Sequence, residues 1–440
     1  MNVGQNSCNS QLKCQKRTSA LIYGADENTL TDENGNIWDV HPITQHAARS
    51  TNLIREIVDN FSAVSISKKP MIKLHLGDPS ATGLFSPCLE IEKALVNTVV
   101  SHKYDCYGPA VGRPEPREAI VRHFSTAAAP FTVDDVVLTS GCSHALQLCI
   151  EALANPGDNI LLPSPGFPLY TTLLRPHGIK EKFYRIIQDG EVKLDVDQLE
   201  NLIDDKTKAI VVNNPSNPVG AVYAKKQLES LLQVAFKYKI PIIADEVYGR
   251  ITFHNAEFYP LASLEPKVPI LTCDSISKRY LSPGARLGWI IIHDRYGALK
   301  QVRFGITSLA QKICGPCTLI QGALPDILDN TPASFLENIR SKLGANADAA
   351  YQILSQIPGL QPVKPEGAMY LSICINEKIY GTEKLFLQKL INEENVYCLP
   401  GSAFFYPGMI RLALIYPKDV IVEACNRIAN FCRTVYSNKK

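Results

Sequence analysis

The chain has 440 residues, of which 45% are hydrophobic and 20% charged, as in globular proteins with a sizeable core. Its length predicts about two or three folding units rather than one. The net charge of +2 gives no reason to expect nucleic acid or an acidic membrane surface as a partner. No apolar run reaches the roughly 18 residues of a membrane-spanning helix, so a membrane partner is not expected either.

The N-terminal segment shows no helical or strand periodicity and is rich in Asn, Asp, Thr and Gly. We predict a flexible arm at residues 1–45, with a mitochondrial presequence as the alternative reading of its first residues. Thirteen cysteines, an odd number, are spread along the whole chain. This distribution is typical of reduced thiols, so a cytoplasmic location is predicted.

From about Ile72, short runs rich in Val and Ile alternate with segments of helical length. The runs are DVVLTS, NILLPS, AIVVNN, IPIIAD, PILTCD and RLGWIIIHD. Apolar strands without polar alternation, separated by helices, are typical of βαβ units. We therefore predict an α/β fold in which a mostly parallel central sheet is flanked by helices.

The pattern changes after about Thr318. A long helical stretch, ASFLENIRSKLGANADAAYQILSQI, precedes two strand candidates, AMYLSICI and MIRLALIY, and a closing helix. This order predicts a smaller α+β domain at 319–440, following a large domain at 76–318. Residues 46–75 are expected to form an N-terminal segment that packs with the small domain.

Polar residues follow the carboxyl ends of the predicted strands, where open α/β sheets bind ligands. They include an SGCS turn at 140–143, the NPSNPVG loop, the ADEVYG segment and the SISK segment at 275–278. The PSPGF loop after NILL is a further cluster of this kind. Since the strands point the same way, these groups are expected to converge on one crevice.

The SGCS turn opens a predicted helix, whose free N–H groups favour an anion such as phosphate. Ser275, Ser277 and Arg286 add hydroxyl and guanidinium donors. The alternative is a serine-capped helix beside a surface arginine, and the turn taken alone favours this simpler interpretation.

Lys278 lies beside this predicted phosphate site and beside a strand-end carboxylate, Asp245. A lysine amine in such surroundings is a nucleophile towards an aldehyde, as in Schiff-base enzymes. Asp245 would keep the ring nitrogen of pyridoxal 5'-phosphate (PLP) protonated, and Tyr248 and Asn217 would donate to its phenolic oxygen. Asp245 as a helix cap and Tyr248 as a core aromatic are alternatives, but neither explains the whole set.

Six motifs together resemble the fold-type I, class I and II aminotransferases. They are LGDPS (76–80), YGPAVG (107–112), NPSNPVG (214–220), ADEVYG (244–249), SISKRYLSPGARLGW (275–289) and GSAFFYPGMIRLAL (401–414). The resemblance runs from about Asn52 to Arg427. Within this family, NLIREIVDN, LGDPS, PGFPLY and GPCTLIQGAL resemble the tyrosine aminotransferases more than the aspartate or alanine enzymes.

The resemblance implies a cofactor role for each matching position. Lys278 would carry PLP as a Schiff base and move the substrate proton, and Asp245 would pair with the ring nitrogen. Tyr248 and Asn217 would bind the phenolic oxygen, and Phe167 would stack on the ring. The implied phosphate cup consists of Ser140, Gly141, Cys142, Ser275 and Arg286. The large domain would thus be the PLP-binding domain.

The resemblance also implies the substrate contacts and the assembly. Arg411 would bind the substrate α-carboxylate through a two-point salt bridge, with Asn217 beside it and Gly77 closing over it. Tyr107 would reach into the phosphate cup of a second subunit, which implies a homodimer. The phrase SGCSHA departs from the pattern at His144, and Tyr280 and Ala285 stand where related sequences often have Trp.

The implied activity is transfer of the amino group of an aromatic L-amino acid, tyrosine or phenylalanine, to a 2-oxo acid such as 2-oxoglutarate. It would run by a ping-pong mechanism and form the first step of tyrosine catabolism. Alternatives on the same fold are broad alanine or aspartate activity, a cysteine-conjugate β-lyase and a decarboxylase. Lys312 lies in the region where aspartate-preferring relatives place an arginine. A non-enzymatic binding protein ranks last, because Lys278 and Asp245 are both present.

Cys314-Gly315-Pro316-Cys317 spells the CxxC of thioredoxin-like redox modules. It follows SLAQKI rather than a strand, so a redox module is a distant alternative. No second CxxC or HxxxH accompanies it, and we predict no metal site. No GxGxxG follows a strand, which disfavours a nicotinamide enzyme.

Overall fold

A computed structural model describes residues 41–59, 67–188, 191–253, 255–264 and 267–437. The arm predicted at 1–45 lies outside the described residues, apart from 41–45. Within the described part of the chain, no helix combines the length and the apolar character needed to cross a membrane.

The structure consists of strands and helices that alternate along most of the chain. The strands are β1 (Ile72–Lys73), β2 (Val136–Thr139), β3 (Asn159–Ser164), β4 (Lys180–Arg185), β5 (Ile187–Gln188), β6 (Glu191–Val192), β7 (Thr207–Asn213), β8 (Ile242–Asp245), β9 (Ile270–Ser275), β10 (Gly288–His293), β11 (Leu360–Pro362), β12 (Tyr370–Ile375), β13 (Val396–Tyr397), β14 (Leu399–Pro400) and β15 (Met409–Ala413). The helices are α1 (Gln45–Ala48), α2 (Leu53–Asp59), α3 (Leu89–Ser101), α4 (Pro114–Phe124), α5 (Cys142–Leu153), α6 (Leu169–Leu174), α7 (Val196–Asn201), α8 (Lys225–Tyr238), α9 (Ile276–Arg279), α10 (Lys300–Ala310), α11 (Thr318–Asn330), α12 (Ala333–Leu354), α13 (Glu377–Tyr380), α14 (Glu383–Glu394) and α15 (Lys418–Ser437).

The central sheet has seven strands in the order β2-β10-β9-β8-β7-β3-β4. All neighbours run parallel except β10, which is antiparallel to both β2 and β9. Strands β8 and β9 are buried along their whole length, as expected for strands covered by helices on both faces. The predicted fold class is confirmed.

The two faces of the central sheet pack against different helices. On one face, Leu271, Cys273 and Ile290 contact side chains of α5 and α10. On the other, Leu138 and Trp289 pack with side chains of α3, α4 and α11. Successive residues of a strand point to opposite faces, so neighbours in sequence on β9 face different surroundings.

A second, antiparallel sheet has the order β11-β12-β15-β14 and packs against α12 and α15. Strand β1 pairs with β13 next to it, which supports the prediction that the segment before residue 76 packs with this smaller unit. Helix α11 instead packs against α3 and α4 of the large unit. We therefore propose a boundary near Thr331 rather than at 318.

Each strand predicted from an apolar run is present. The edge strand β4 did not show as an apolar run, because its sequence KEKFYR is mostly polar and only partly buried. Strands β11 and β14 are two or three residues long, too short for a periodic pattern.

Candidate active site

A cavity of about 440 Å³ lies at the carboxyl ends of β8 and β9, between the central sheet and β12 and β15. Ten of the predicted site residues line it. They are Gly77, Cys142, Phe167, Asn217, Asp245, Tyr248, Ser275, Lys278, Arg286 and Arg411. The strand ends thus converge as their positions in the sequence predict.

Three predicted residues lie outside the lining. Ser140 and Gly141 are directly behind it, where the Ser140 carbonyl accepts a hydrogen bond from Arg286 Nη2 at 3.2 Å. Tyr107 does not reach this cavity and is 91% exposed. The contact of Tyr107 with a second subunit stays a prediction.

Lys278 belongs to a single helical turn, α9, that follows β9 directly. Ser275 caps this turn, since its Oγ accepts a hydrogen bond from the Ser277 N–H at 3.2 Å. Lys278 Nζ is half-buried and donates to the Gly77 carbonyl at 2.6 Å. The amine is therefore held at the cavity wall by one carbonyl, with no carboxylate in contact with it among the described residues.

Asp245 ends β8 and is almost completely buried. Its Oδ2 accepts a 2.7 Å hydrogen bond from the Tyr170 hydroxyl, and Oδ1 faces the Cys142 thiol at 3.8 Å. Burial raises the pKa of Asp245 to about 6, although the hydrogen bond from Tyr170 acts in the opposite direction and lowers this pKa. A buried carboxylate with a raised pKa is a strong acceptor for a protonated nitrogen.

The start of α5 forms a cradle for an anion. Gly141 has φ 78°, and a Cβ there would lie 2.4 Å from Arg286 Nη2, so only glycine lets the guanidinium approach this turn. Arg286 adopts a left-handed conformation, φ 51°, which directs its side chain back across the turn. The helix N-terminus and the guanidinium together favour a phosphate group.

His144 explains one departure from the family pattern. Its Nδ1 accepts a hydrogen bond from the Ser140 N–H at 3.2 Å. The side chain thus satisfies a backbone donor at the start of the helix, and the first turn stays ordered.

Arg411 lies on β15 and is only 2% exposed. Its Nη1 donates to Asn217 Oδ1 at 3.0 Å and its Nη2 to the His75 carbonyl at 2.6 Å, while Nε has no partner among the described residues. The guanidinium lies over the rings of Tyr370 and Phe404, at 4.3 and 4.7 Å. Burial lowers its pKa. A buried cation with a free N–H is suited to a carboxylate ligand.

Tyr248 and Tyr370 form a hydroxyl pair 2.9 Å apart at the same wall. Burial raises the pKa of Tyr248 well above its usual value. Burial also acts on Tyr370, but the charges of Lys278 and Arg411 outweigh it and lower its pKa. The two hydroxyls thus share one hydrogen bond at the wall next to Lys278 and Arg411.

Sequence reasoning did not identify Tyr170, Tyr370, His75 or Asn213 as site residues. Asn213 Oδ1 accepts a hydrogen bond from the Asn217 N–H at 2.7 Å and so orients the loop that carries Asn217. Tyr170 and Tyr370 lie inside the quoted segments PGFPLY and AMYLSICI, but nothing in those segments marks a tyrosine that faces Asp245 or Arg411.

Two other features lie elsewhere. Lys312 forms an ion pair with Glu151 at 3.0 Å and does not line the cavity of its own chain. Cys314 ends a short 3-10 helix, and Cys317 caps α11, so the pair follows helices and not a strand. Both thiols are free and exposed.

Residues 69–428 match the family described as Aminotransferase class I and II. The chain belongs to this family. A tyrosine aminotransferase of Caenorhabditis elegans is 51% identical over 396 residues, which cover 90% of this chain and 85% of the relative. A human tyrosine aminotransferase is 44% identical over 403 residues, with coverages of 91% and 88%.

Solved aminotransferases share the fold of this family member. A tyrosine aminotransferase from Leishmania infantum superposes with a TM-score of 0.86 at 29% identity, covering 90% of this chain and 99% of that one. An alanine aminotransferase from Pyrococcus furiosus gives 0.83 at 32% identity, with coverages of 89% and 100%. The prediction of a PLP-dependent aminotransferase is confirmed.

The residues of this aminotransferase fit PLP. The glycine-lined start of α5 and Arg286 suit its phosphate, because a Cβ at 141 would fill the cradle. The buried carboxylate of Asp245 suits a protonated ring nitrogen, and Phe167 borders the space between these two ends. Lys278 is within the same cavity as the partner for the cofactor's aldehyde.

Proposed function

We propose that this enzyme transfers the amino group of aromatic L-amino acids, with tyrosine preferred over phenylalanine, to a 2-oxo acid such as 2-oxoglutarate. Such a reaction is the first step in breaking down tyrosine. The main support for this proposal is that the buried guanidinium of Arg411 lines the same cavity as Lys278 and has an Nε without a partner among the described residues. The tyrosine aminotransferases of worm and human, 51% and 44% identical, support the substrate class.

Arg411 binds the substrate α-carboxylate, with Asn217 at its side and the Gly77 backbone closing over the ligand. A Cβ at Gly77 would lie 2.1 Å from the Tyr370 hydroxyl, so glycine is needed where this segment approaches the wall. Fixing the carboxylate sets the orientation of the α-carbon relative to Lys278. Positioning of this kind contributes strongly to rate.

When bound, PLP supplies the electron sink that stabilises negative charge at the substrate α-carbon. Asp245 keeps the ring nitrogen protonated, and Tyr170 holds the Asp245 carboxylate in its ionised form through the 2.7 Å bond. Lys278 Nζ removes the proton from the α-carbon after leaving the Gly77 carbonyl. Tyr248, whose hydroxyl lies 2.9 Å from that of Tyr370, would hold the cofactor's phenolic oxygen by a hydrogen bond. Proton transfer by a positioned base is worth about 10²–10⁴-fold in rate.

Ile54, Leu146 and Leu169 are apolar residues of the cavity lining, and we propose that the substrate side chain packs against residues of this kind. These side chains are apolar neighbours for an aromatic ring, and among the described lining residues Arg55 is the basic group to which no role in binding the cofactor or the α-carboxylate is assigned above. An apolar pocket discriminates modestly between rings, so phenylalanine is accepted as well.

The enzyme is proposed to act as a homodimer in which Tyr107 completes the phosphate cup of the other subunit. The 91% exposure of Tyr107 supports this. Exposed apolar residues on the neighbouring helix α3, Leu89, Val96 and Val100, also favour a covered surface. We further propose a cytoplasmic location, supported by free thiols such as Cys149 and Cys273, whose sulfurs are 3.7 Å apart without a disulfide.

The decisive experiment measures product in the absence of a second oxo acid. The holoenzyme is mixed with tyrosine or, separately, with aspartate or alanine. Release of one equivalent of the aromatic 2-oxo acid per subunit is expected with tyrosine only. A burst with aspartate or alanine but none with tyrosine would keep the aminotransferase reaction and refute the aromatic substrate.

A further inference from the structure

A second cavity, of about 1130 Å³, lies on the face of the central sheet opposite the active site. Within the described chain, the two cavities share no lining residue. Neighbours in sequence face different cavities: Asp245 lines the active site and Glu246 the second cavity. In the same way, Lys278 lines the active site and Arg279 the second cavity. Successive side chains of an extended segment point to opposite faces of the sheet, which explains the division between Asp245 and Glu246. In the single turn of α9, Lys278 and Arg279 likewise point in different directions.

Three buried side chains in the second cavity carry polar atoms without hydrogen-bond partners among the described residues. They are Thr272 Oγ1, Arg279 Nε and Nη1, and Trp289 Nε1, on residues exposed by only 6%, 5% and 0%. The register of β9 and β10 places Trp289 opposite Asp274, two residues from Thr272 on the same face. Leaving such groups unpaired costs about 1–3 kcal/mol each, so a ligand that pairs with them is favoured.

The chemistry of the unpaired atoms indicates which kind of ligand group would pair with them. The Arg279 and Trp289 nitrogens only donate, and Thr272 can donate as well, so the absent partner is an acceptor. Inside the cavity, the Asp274 carboxylate is already engaged by Arg279 Nη2 at 2.9 Å and by the Ser275 N–H at 2.7 Å. A carboxylate is the acceptor that pairs most strongly with a guanidinium.

Asp274 is the negatively charged group in contact with these donors, and Glu257, which accepts a hydrogen bond from the Tyr259 hydroxyl, also lines the cavity. Burial raises the pKa of Glu246 to about 8, and its Oε1 accepts the Leu261 N–H at 2.8 Å. Burial lowers the pKa of His293 to about 4, so it is neutral near pH 7. Glu337, another lining residue, forms an ion pair with Arg340 at 3.6 Å.

Aromatic side chains form much of the remaining wall. They are Phe124, Phe131, Phe258, Tyr280 and Phe335. The Phe124 ring is flanked by the guanidinium groups of Arg279 and Arg250, at 5.0 and 5.2 Å. Such walls suit a flat apolar body, and the volume exceeds that of the usual small-molecule site.

We propose that this second cavity binds an aromatic carboxylate, whose carboxylate pairs with Arg279, Trp289 and Thr272 and whose ring packs against the aromatic walls. The site is separate from the active site and goes beyond the proposed transamination. It does not depend on which amino acid the enzyme converts.

Trp289 itself reports on the site, because the chain has only one other tryptophan, Trp38. In the Trp38→Phe holoenzyme, phenylacetate is titrated while the emission of Trp289 is followed. Phenylacetate carries no amino group and therefore does not react. We expect a saturable change in emission, with phenylacetamide and acetate each binding at least about tenfold more weakly.

Two variants separate this site from the active site. Arg411→Met removes the proposed carboxylate contact in the active site and should leave the Trp289 signal in place. Thr272→Val removes one unpaired hydroxyl without changing the shape of the side chain and should weaken phenylacetate binding about fivefold. Thr98→Val, at a buried threonine outside the cavity, is the matched control and should have no effect.

Three results would overturn the proposal. They are the absence of a saturable signal, a signal lost in Arg411→Met, and equal affinities of Thr272→Val and the Thr98→Val control. Far-ultraviolet circular dichroism of each variant checks that it is folded. Failure of the tyrosine half-reaction would leave this titration interpretable, because it does not use turnover.

Discussion

Arg411→Met tests the substrate clamp, because this arginine is buried without a carboxylate partner among the described residues. Loss of the arginine from a buried pair with the substrate carboxylate costs about 2–5 kcal/mol. We therefore expect kcat/KM for tyrosine to fall about 30- to 5,000-fold. PLP should remain bound, since Arg411 contacts neither the phosphate cradle nor Asp245.

The same substitution should change stability little. Methionine leaves Asn217 Oδ1 and the His75 carbonyl without their donor, which costs about 1–3 kcal/mol each. It also removes an unpaired buried cation, whose desolvation costs several kcal/mol. These changes nearly cancel, so the thermal midpoint of the holoenzyme should stay within about 5 °C of wild type.

Arg427→Met is the matched control, because Arg427 is also a buried arginine of the smaller unit, 8% exposed. It pairs with Glu423 at 2.7 Å and donates to the Pro70 and Glu394 carbonyls. Its loss should lower the thermal midpoint and leave kcat/KM within about twofold, consistent with its distance from the substrate. Steady-state kinetics and differential scanning fluorimetry measure both variants. Wild-type kcat/KM in Arg411→Met, or loss of PLP from it, would refute the clamp.

Three further predictions concern the cofactor side of the site. In Lys278→Ala the absorbance of the bound cofactor should disappear and kcat should fall at least about 10²-fold, while the circular dichroism stays unchanged. Full turnover by this variant would disprove the role of Lys278 as Schiff-base residue and proton carrier. Tyr170→Phe removes the hydrogen bond that lowers the pKa of Asp245, so less of this carboxylate is ionised at a given pH. The acidic limb of the pH profile of kcat/KM should therefore move up by about one pH unit. An unchanged acidic limb would contradict this. Mixing Lys278→Ala with Tyr107→Ala subunits should restore activity, because a hybrid dimer contains one intact site; mixtures no better than their parents would rule out the shared cup.

The strand ends could be predicted because their chemistry is local. A buried apolar run followed at once by Asp245, or by Ser275 and Lys278, shows both the strand and the polar group in one short segment. Parallel order then requires the segments to meet. The fold class and the strand-end residues of the site followed from this, whereas Gly77, Phe167 and Arg411 were predicted only from the resemblance to the aminotransferase family.

Long-range pairings could not be predicted in this way. Tyr170 meets Asp245 across 75 positions and Tyr248 meets Tyr370 across 122, and no local pattern marks such pairs. The second cavity carries no motif at all, since it is defined by atoms that lack partners. Strand β4 was missed because an edge strand needs only one apolar face.

The alternation of β8 has a consequence for how this enzyme can change during evolution. Asp245 and Glu246 are adjacent acids that differ by one position in the pleat. A one-residue deletion upstream in the strand would bring Glu246 to the place of Asp245 and present the active site with the wrong carboxylate, whereas an insertion would bring Ala244 there. Length changes in β8 are therefore expected to be more disruptive than conservative substitutions of its apolar residues. A deep insertion–deletion scan of this enzyme should therefore show that length changes in β8 and β9 are poorly tolerated.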